Sequence, residues 1–69
     1  MIEVEYYYTP KSGERKKGVT IFYDRAKALR FMYSMKRKSG QYLIGYSCEY
    51  PDDTEYLARR ISILDINSK

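Results

Sequence analysis

A helix is predicted by the stretch DRAKALRFMYSMKRKSG at residues 24–40. Asp24 can cap this helix, because its carboxylate can accept hydrogen bonds from the free N–H groups of the first turn. Residues 25–38 contain neither glycine nor proline, and Gly40 is well suited to close the helix. Apolar residues at helical spacing predict the buried face. They are Ala28, Leu29, Met32 and Met35.

Two strands are predicted before the helix. Residues 2–9 alternate in polarity with the period of a strand, and residues 19–23 are rich in β-branched and aromatic side chains. Between them, residues 10–18 carry proline, serine, glycine and charged residues, which predict a polar, flexible loop. A loop of this length can still join two antiparallel neighbours.

Two further strands are predicted after the helix. Residues 41–50 alternate again, which places the even-numbered residues on one face. Residues 51–54 (PDDT) are a turn signal. For residues 55–64 the alternation ISI at 61–63 favours a returning strand. A helix stays open as the alternative, because apolar residues also recur there at helical spacing.

The predicted order is β-β-α-β-β, a small α+β fold in which one helix packs on one face of an antiparallel sheet. The length of 69 residues allows a single domain, residues 1–69, in which residues 67–69 are expected to fray. A core this small rarely supplies more than about 3–5 kcal/mol of net stability. Because Cys48 is the only cysteine, no intrachain disulfide can add to it, and self-association is the remaining means of support.

The composition argues against an enzyme. The chain has no histidine, so the usual base of a nucleophilic triad is missing. Cys48 lies in a predicted strand and is interpreted as a buried, inert thiol. The acidic residues at 49–55 do not match the spacing of an EF-hand, and they are interpreted as turn chemistry and solvated surface. We therefore predict no catalytic residue, metal, cofactor or small-molecule substrate.

The sequence predicts a cytoplasmic protein that does not enter a membrane. It has no run of about 18 apolar residues, the length that a spanning helix requires. Its first residues lack the basic and apolar regions of a secretory signal. A lone thiol without a disulfide framework fits a reducing compartment.

A basic surface is predicted on the helix and on the loop before it. Six basic residues and no acid follow Asp24 within the helix, so the i,i+4 ion pairs that stabilise exposed helices are missing. Such a surface could bind along the phosphates of a nucleic acid. The alternative is an ordinary charged helix face exposed to solvent. The residues expected to contact an anionic partner are Arg15, Lys16, Lys17, Lys27, Arg30, Arg37 and Lys38.

An aromatic contact patch is also predicted, because the chain contains 9 tyrosines. Exposed tyrosines can anchor protein interfaces. The predicted register places Tyr7, Phe22 and Tyr56 on the sheet face away from the helix, together with Glu3 and Glu5. Carboxylates on that face would repel phosphates, so it suits a protein partner or self-association better than stacked bases.

These observations predict a small non-enzymatic binding module. A protein-interaction domain of the adaptor or inhibitor kind is placed first, because acids outnumber bases outside the helix. A nucleic-acid-binding accessory protein that uses the basic helix face and the basic loop is the alternative.

Overall fold

Three strands and three helices make up residues 1–68, the part of the chain that the computed structural model describes. The predicted α+β class, the antiparallel sheet and the first helix are confirmed. In chain order the elements are β1 (Ile2–Tyr8), β2 (Lys16–Phe22), α1 (Arg25–Arg37), β3 (Gln41–Cys48), α2 (Pro51–Arg60) and α3 (Ile63–Asn67).

The sheet has the strand order β2-β1-β3, and β1 is antiparallel to both of its neighbours. At one end Ile2 lies opposite Phe22 and Cys48. At the other end Tyr8 lies opposite Gln41. The two outer strands therefore run in the same direction, and α1 carries the chain across β1 from one edge of the sheet to the other.

The helices cover one face of the sheet. Val4 of β1, Met32 of α1 and Leu57 of α2 are fully buried together. The predicted cap of α1 is confirmed, since Oδ1 of Asp24 accepts a hydrogen bond from N of Ala26 at 2.8 Å. The amphipathic pattern of α1 and the alternation of β1 thus supply the two halves of one core.

The predicted fourth strand at residues 55–64 is wrong, because the chain forms α2 and α3 there. Pro51 lies in the first turn of α2. The N–H groups of a first turn have no partner within the helix, so the missing N–H of proline costs no hydrogen bond there. Two aspartates follow in that first turn and two arginines lie in the last turn, as the helix dipole favours. The alternation that suggested a strand is a short extended linker, Ile61 and Ser62, between the two helices.

A bulge in β3 changes which residues face the core. The alternation of residues 41–50 placed Leu43 on the face away from the helix. The pairing with β1 shifts, so that Gly45 and Leu43 oppose consecutive residues of β1 and Ile44 is extra. Leu43 is therefore fully buried beneath the helices, and Tyr42 is 47% exposed on the other face.

The end of α3 covers the outer edge of β3. Oδ1 of Asn67 accepts a hydrogen bond from N of Leu43, and Nδ2 of Asn67 donates one to O of Leu43, both at 2.8 Å. One side chain thus takes the place of a neighbouring strand at this point. Asn67, which we expected to fray, is held in place, whereas Lys69 lies outside the described residues.

Gly18 allows an aromatic ring to lie against the sheet. We interpreted Gly18 as the last residue of a loop, but it belongs to β2 and lies opposite Tyr6. A Cβ at Gly18 would lie 2.7 Å from Cε2 of Tyr6. The hydroxyl of Tyr6 makes a 2.9 Å hydrogen bond with Oγ1 of Thr20, which holds the ring over the glycine.

Substitution of Gly18 by alanine is expected to destabilise the fold. The added methyl group would overlap the Tyr6 ring, so Gly18→Ala should lower the free energy of unfolding by about 1–3 kcal/mol. Urea unfolding followed by circular dichroism measures this change. Gly45→Ala is the matched control, because no atom lies within 4 Å of its Cβ position, and its effect should stay within about 0.5 kcal/mol. Equal losses in the two variants would contradict the role of the ring contact.

Candidate functional site

The β1–β2 loop and the C-terminus of α1 lie at the same end of the sheet. Tyr8, where β1 enters the loop, pairs with Gln41 at the start of β3, and only residues 38–40 separate β3 from α1. The two connections also approach each other, because a Cβ at Gly40 would lie 3.5 Å from Cβ of Thr9. Side chains from the loop and from the helix therefore project from one end of the molecule.

Seven basic residues gather at this end, which we call the basic end. All of them are exposed. Two acids lie among them, and Oε2 of Glu5 is 3.4 Å from Nζ of Lys17. The basic end carries more net positive charge than the whole chain, whose formal net charge is +4. Its members are Lys11, Arg15, Lys16, Lys17, Lys36, Arg37 and Lys38.

Most of the acids lie at the opposite end of the sheet. This end contains the start of β1, the end of β3 and the N-termini of α1 and α2. We call its six carboxylates the acidic end, and they are six of the 9 in the chain. They are Glu3, Asp24, Glu49, Asp52, Asp53 and Glu55.

Contacts within the acidic end partly neutralise it. Oδ1 of Asp53 lies 3.9 Å from Nη1 of Arg25, and Oε1 of Glu55 lies 2.5 Å from Nη2 of Arg59. The hydrogen bond with Glu49 and the charge of Glu49 raise the pKa of the Tyr50 hydroxyl, with smaller contributions from burial and from Asp53. Glu49 and Asp52 form no salt bridge within residues 1–68, so negative charge persists between the end of β3 and the first turn of α2. The sheet separates the two signs of charge between its two ends.

The outer side of α1 extends the basic surface. Lys27, Arg30 and Arg37 are exposed on the side of α1 away from its buried residues. No ion pair joins these three side chains to a carboxylate of residues 1–68. Along the helix axis Arg30 and Lys27 lie about 10 and 15 Å from Arg37. Five of the seven predicted anion-contacting residues thus lie at the basic end, and two continue from it along the helix.

The three predicted aromatic contact residues do not come together. Tyr7 is half-buried on the outer face, where Cζ of Arg15 lies 5.3 Å from its ring centroid. Phe22 lies opposite Ile2 and therefore faces the helices, with its ring 5.1 Å from that of Phe31. Tyr56 belongs to α2. Tyr7 lies on the predicted face, but the prediction is wrong for Phe22, which faces the helices, and for Tyr56, which is helical.

Two arginines surround Tyr56, an arrangement that the sequence did not predict. Cζ of Arg60 and Cζ of Arg25 lie 3.8 and 4.5 Å from the ring centroid, close enough for cation–π attraction. The ring lies in an open cleft that also contains two carboxylates and a third arginine. Because both signs of charge line this cleft, it attracts an anion less strongly than the basic end does.

The remaining sequence candidates for chemistry are a metal site and a thiol. Within residues 1–68 no group of three or more His, Cys, Asp or Glu side chains is placed to hold a metal ion. Cys48 is half-buried against the core, opposite Ile2.

No protein-family model, curated protein or solved structure matches this chain. None of the helices in residues 1–68 has the length and apolar character needed to cross a membrane. Any functional inference therefore rests on the arrangement of this chain's own residues.

Lys11 and Lys36 are members of the basic end that the sequence did not select. The signal for both was available in the predicted order of elements. A β-β-α-β chain with an antiparallel hairpin returns its helix towards the hairpin loop, so the loop and the last turn of α1 had to meet. The sequence prediction treats the helix face and the loop separately, whereas the topology brings the loop and the last turn of α1 to one end of the sheet.

Proposed function

We propose that this protein is a small non-enzymatic module that binds nucleic acid through the phosphates at its basic end. The observation that carries the proposal is the gathering of seven exposed basic residues from two separate segments at one end of the sheet. Lysine and arginine neutralise phosphates and release condensed counterions, which favours binding without reading the base sequence. The basic residues along α1 would lengthen the contact.

The separation of positive and negative charge supports nucleic-acid binding ahead of a protein-interaction function. The sequence places a protein partner first, because acids outnumber bases outside the helix. Six of those acids lie at the acidic end, across the sheet from the basic end. Repulsion between phosphates and these carboxylates is screened over about 8–10 Å at physiological salt. A phosphate backbone at the basic end would therefore meet mainly positive charge.

The test is a fluorescence-anisotropy titration of labelled single-stranded and duplex DNA and RNA. We expect micromolar binding that weakens as salt rises, with a slope of log K against log salt near −3.6 if four phosphates of duplex DNA are contacted, since each contributes about −0.9. Binding that disappears at physiological salt for every probe would overturn the proposal. The basic end would then be a solvated surface.

A protein-interaction module is the second candidate, favoured by the outer face of the sheet. Among the described residues this face has no covering element, and Val19, Ile21 and Tyr42 are 52%, 45% and 47% exposed on it. Glu3 and Glu5 lie on the same face, where they would disfavour phosphates but suit a protein surface. Absence of nucleic-acid binding in the titration would move this function to first place.

A further inference from the structure

The two edges of the sheet are treated differently by the fold. The outer edge of β3 is covered by Asn67, whose side chain bonds N and O of Leu43. Strand β2, at the other edge, has β1 as its only paired strand among the described residues. Within residues 1–68 no hydrogen bond reaches its outward backbone groups. An uncovered edge is a ready template for another strand.

The backbone groups at this open edge can be identified from the sheet pairing. Leu43 directs its N–H and C=O to Asn67 and hence away from Tyr6, its partner in β1. Tyr6 therefore forms its strand bonds with Gly18 on β2. Hydrogen-bonded and non-bonded pairs alternate along an antiparallel ladder. It follows that the odd-numbered residues of β2, including Val19 and Ile21, point their N–H and C=O outward.

We propose that β2 pairs with β2 of a second copy of this chain. The two strands would run antiparallel about a two-fold axis at Thr20 and join two sheets into one of six strands. In this register Val19 lies opposite Ile21 of the second copy, and the reverse pair forms across the axis. Both side chains are about half exposed in the monomer, at 52% and 45%. The dimer covers an apolar pair twice.

Charge complementarity favours a second copy over another strand. β2 runs from the basic end to the acidic end. An antiparallel partner therefore sets the basic end of each copy beside the acidic end of the other. β2 ends at Phe22, and beyond that end Tyr23, which is 87% exposed, and Asp24 of the second copy would lie near Lys17 and Lys16. Both pairs are attractive and both occur twice.

The expected dimer is weak. Stable interfaces bury about 800 Å² on each partner, which is about a sixth of the 4960 Å² surface of this chain. One strand edge with its flanking side chains provides less than that. We therefore expect a dissociation constant of about 1–100 µM. In the dimer both α1 helices lie on the same side of the joined sheet, because the two-fold axis is perpendicular to it.

Sedimentation velocity of the protein alone, at increasing concentration up to about 500 µM, tests the proposal. Wild type is expected to pass from monomer to dimer. Ile21→Lys should raise the dissociation constant at least about tenfold, because a charge on the open edge opposes strand pairing. Leu64→Lys is the matched control, since Leu64 is 82% exposed on α3, and it should dimerise like wild type. A wild-type monomer at every concentration would overturn the proposal and leave this edge for another protein.

The register has its own test in a Cys48→Ser background. In the proposed register Thr20 and its copy form a pair without hydrogen bonds between them. Such a pair in an antiparallel ladder has Cα atoms about 4.5 Å apart, a distance that a disulfide can span. Thr20→Cys should therefore form a covalent dimer on oxidation, faster than Val19→Cys. Circular dichroism of each variant verifies that it is folded. Faster cross-linking of Val19→Cys would overturn the Thr20-centred register and its charge pairs.

Discussion

Met32→Ala is expected to leave much of the protein unfolded at 25 °C. Met32 is 0% exposed and lies among buried residues from the sheet and from the other helices. Removing a buried side chain of this size costs about 2–5 kcal/mol. A domain of this length rarely has more than about 3–5 kcal/mol of net stability, and no disulfide compensates, because Cys48 is the only cysteine. The measurement is urea unfolding followed by circular dichroism, compared with wild type.

Leu64→Ala is the control for this prediction. Leu64 is also apolar and helical, but its side chain is 82% exposed on α3, so its replacement should change the free energy of unfolding by less than about 0.5 kcal/mol. If Met32→Ala were as stable as wild type, the assignment of the buried side of α1 would be wrong. If both variants unfolded, the loss would reflect a fold too weak to tolerate any substitution.

The part of the fold that the sequence predicted correctly is the part where several local signals agree. In α1 a capping aspartate, a run of good helix formers and an apolar stripe all indicate the same helix. In residues 51–64 the signals conflict, because helical spacing and strand alternation are both present. The outcome depends on packing of Leu57 and Ile66 into the shared core. That packing is a tertiary interaction, which outweighs local pattern in short segments.

Register was the second feature that local pattern could not supply. A single extra residue in a strand reverses the facing of every residue beyond it, and Ile44 is such a residue. Nothing in its own side chain marks a bulge. The same limitation explains why Phe22 was placed on the wrong face, since its position follows from pairing with Ile2.

The sequence predicted which basic residues are exposed at the candidate site, but not how these residues are arranged in space. All seven residues chosen from the sequence are exposed. The sequence predicts a basic helix face and a basic loop, but it does not place the two relative to each other. The structure shows that the β1–β2 loop lies beside the last turn of α1 and that most acids lie at the acidic end. Both depend on contacts between segments distant in the chain.

Removing two charges from the basic end is expected to weaken nucleic-acid binding far more than removing two charges from the acidic end. Arg15→Ala/Arg37→Ala lowers the formal net charge from +4 by two. If each arginine contacts one phosphate of duplex DNA, the salt slope should flatten by about 1.8, and affinity at about 0.1 M salt should fall about 60-fold. Anisotropy titrations over a range of salt concentrations measure both quantities. Neither side chain forms a salt bridge within residues 1–68, so the fold should be retained.

Arg25→Ala/Arg59→Ala is the control, because it removes the same charge from residues that lie beside Asp53 and Glu55 at the acidic end. It should leave the salt slope unchanged and lower affinity by less than about threefold, since these arginines are partly neutralised and far from the proposed contact. Circular dichroism verifies that both double variants are folded. Equal losses in the two would mean that net charge alone drives binding. If the contact surface is at the basic end, the two double variants must differ in affinity and in salt slope. Phosphate contacts act over short distances, whereas an effect of net charge would be the same for charges removed from either end.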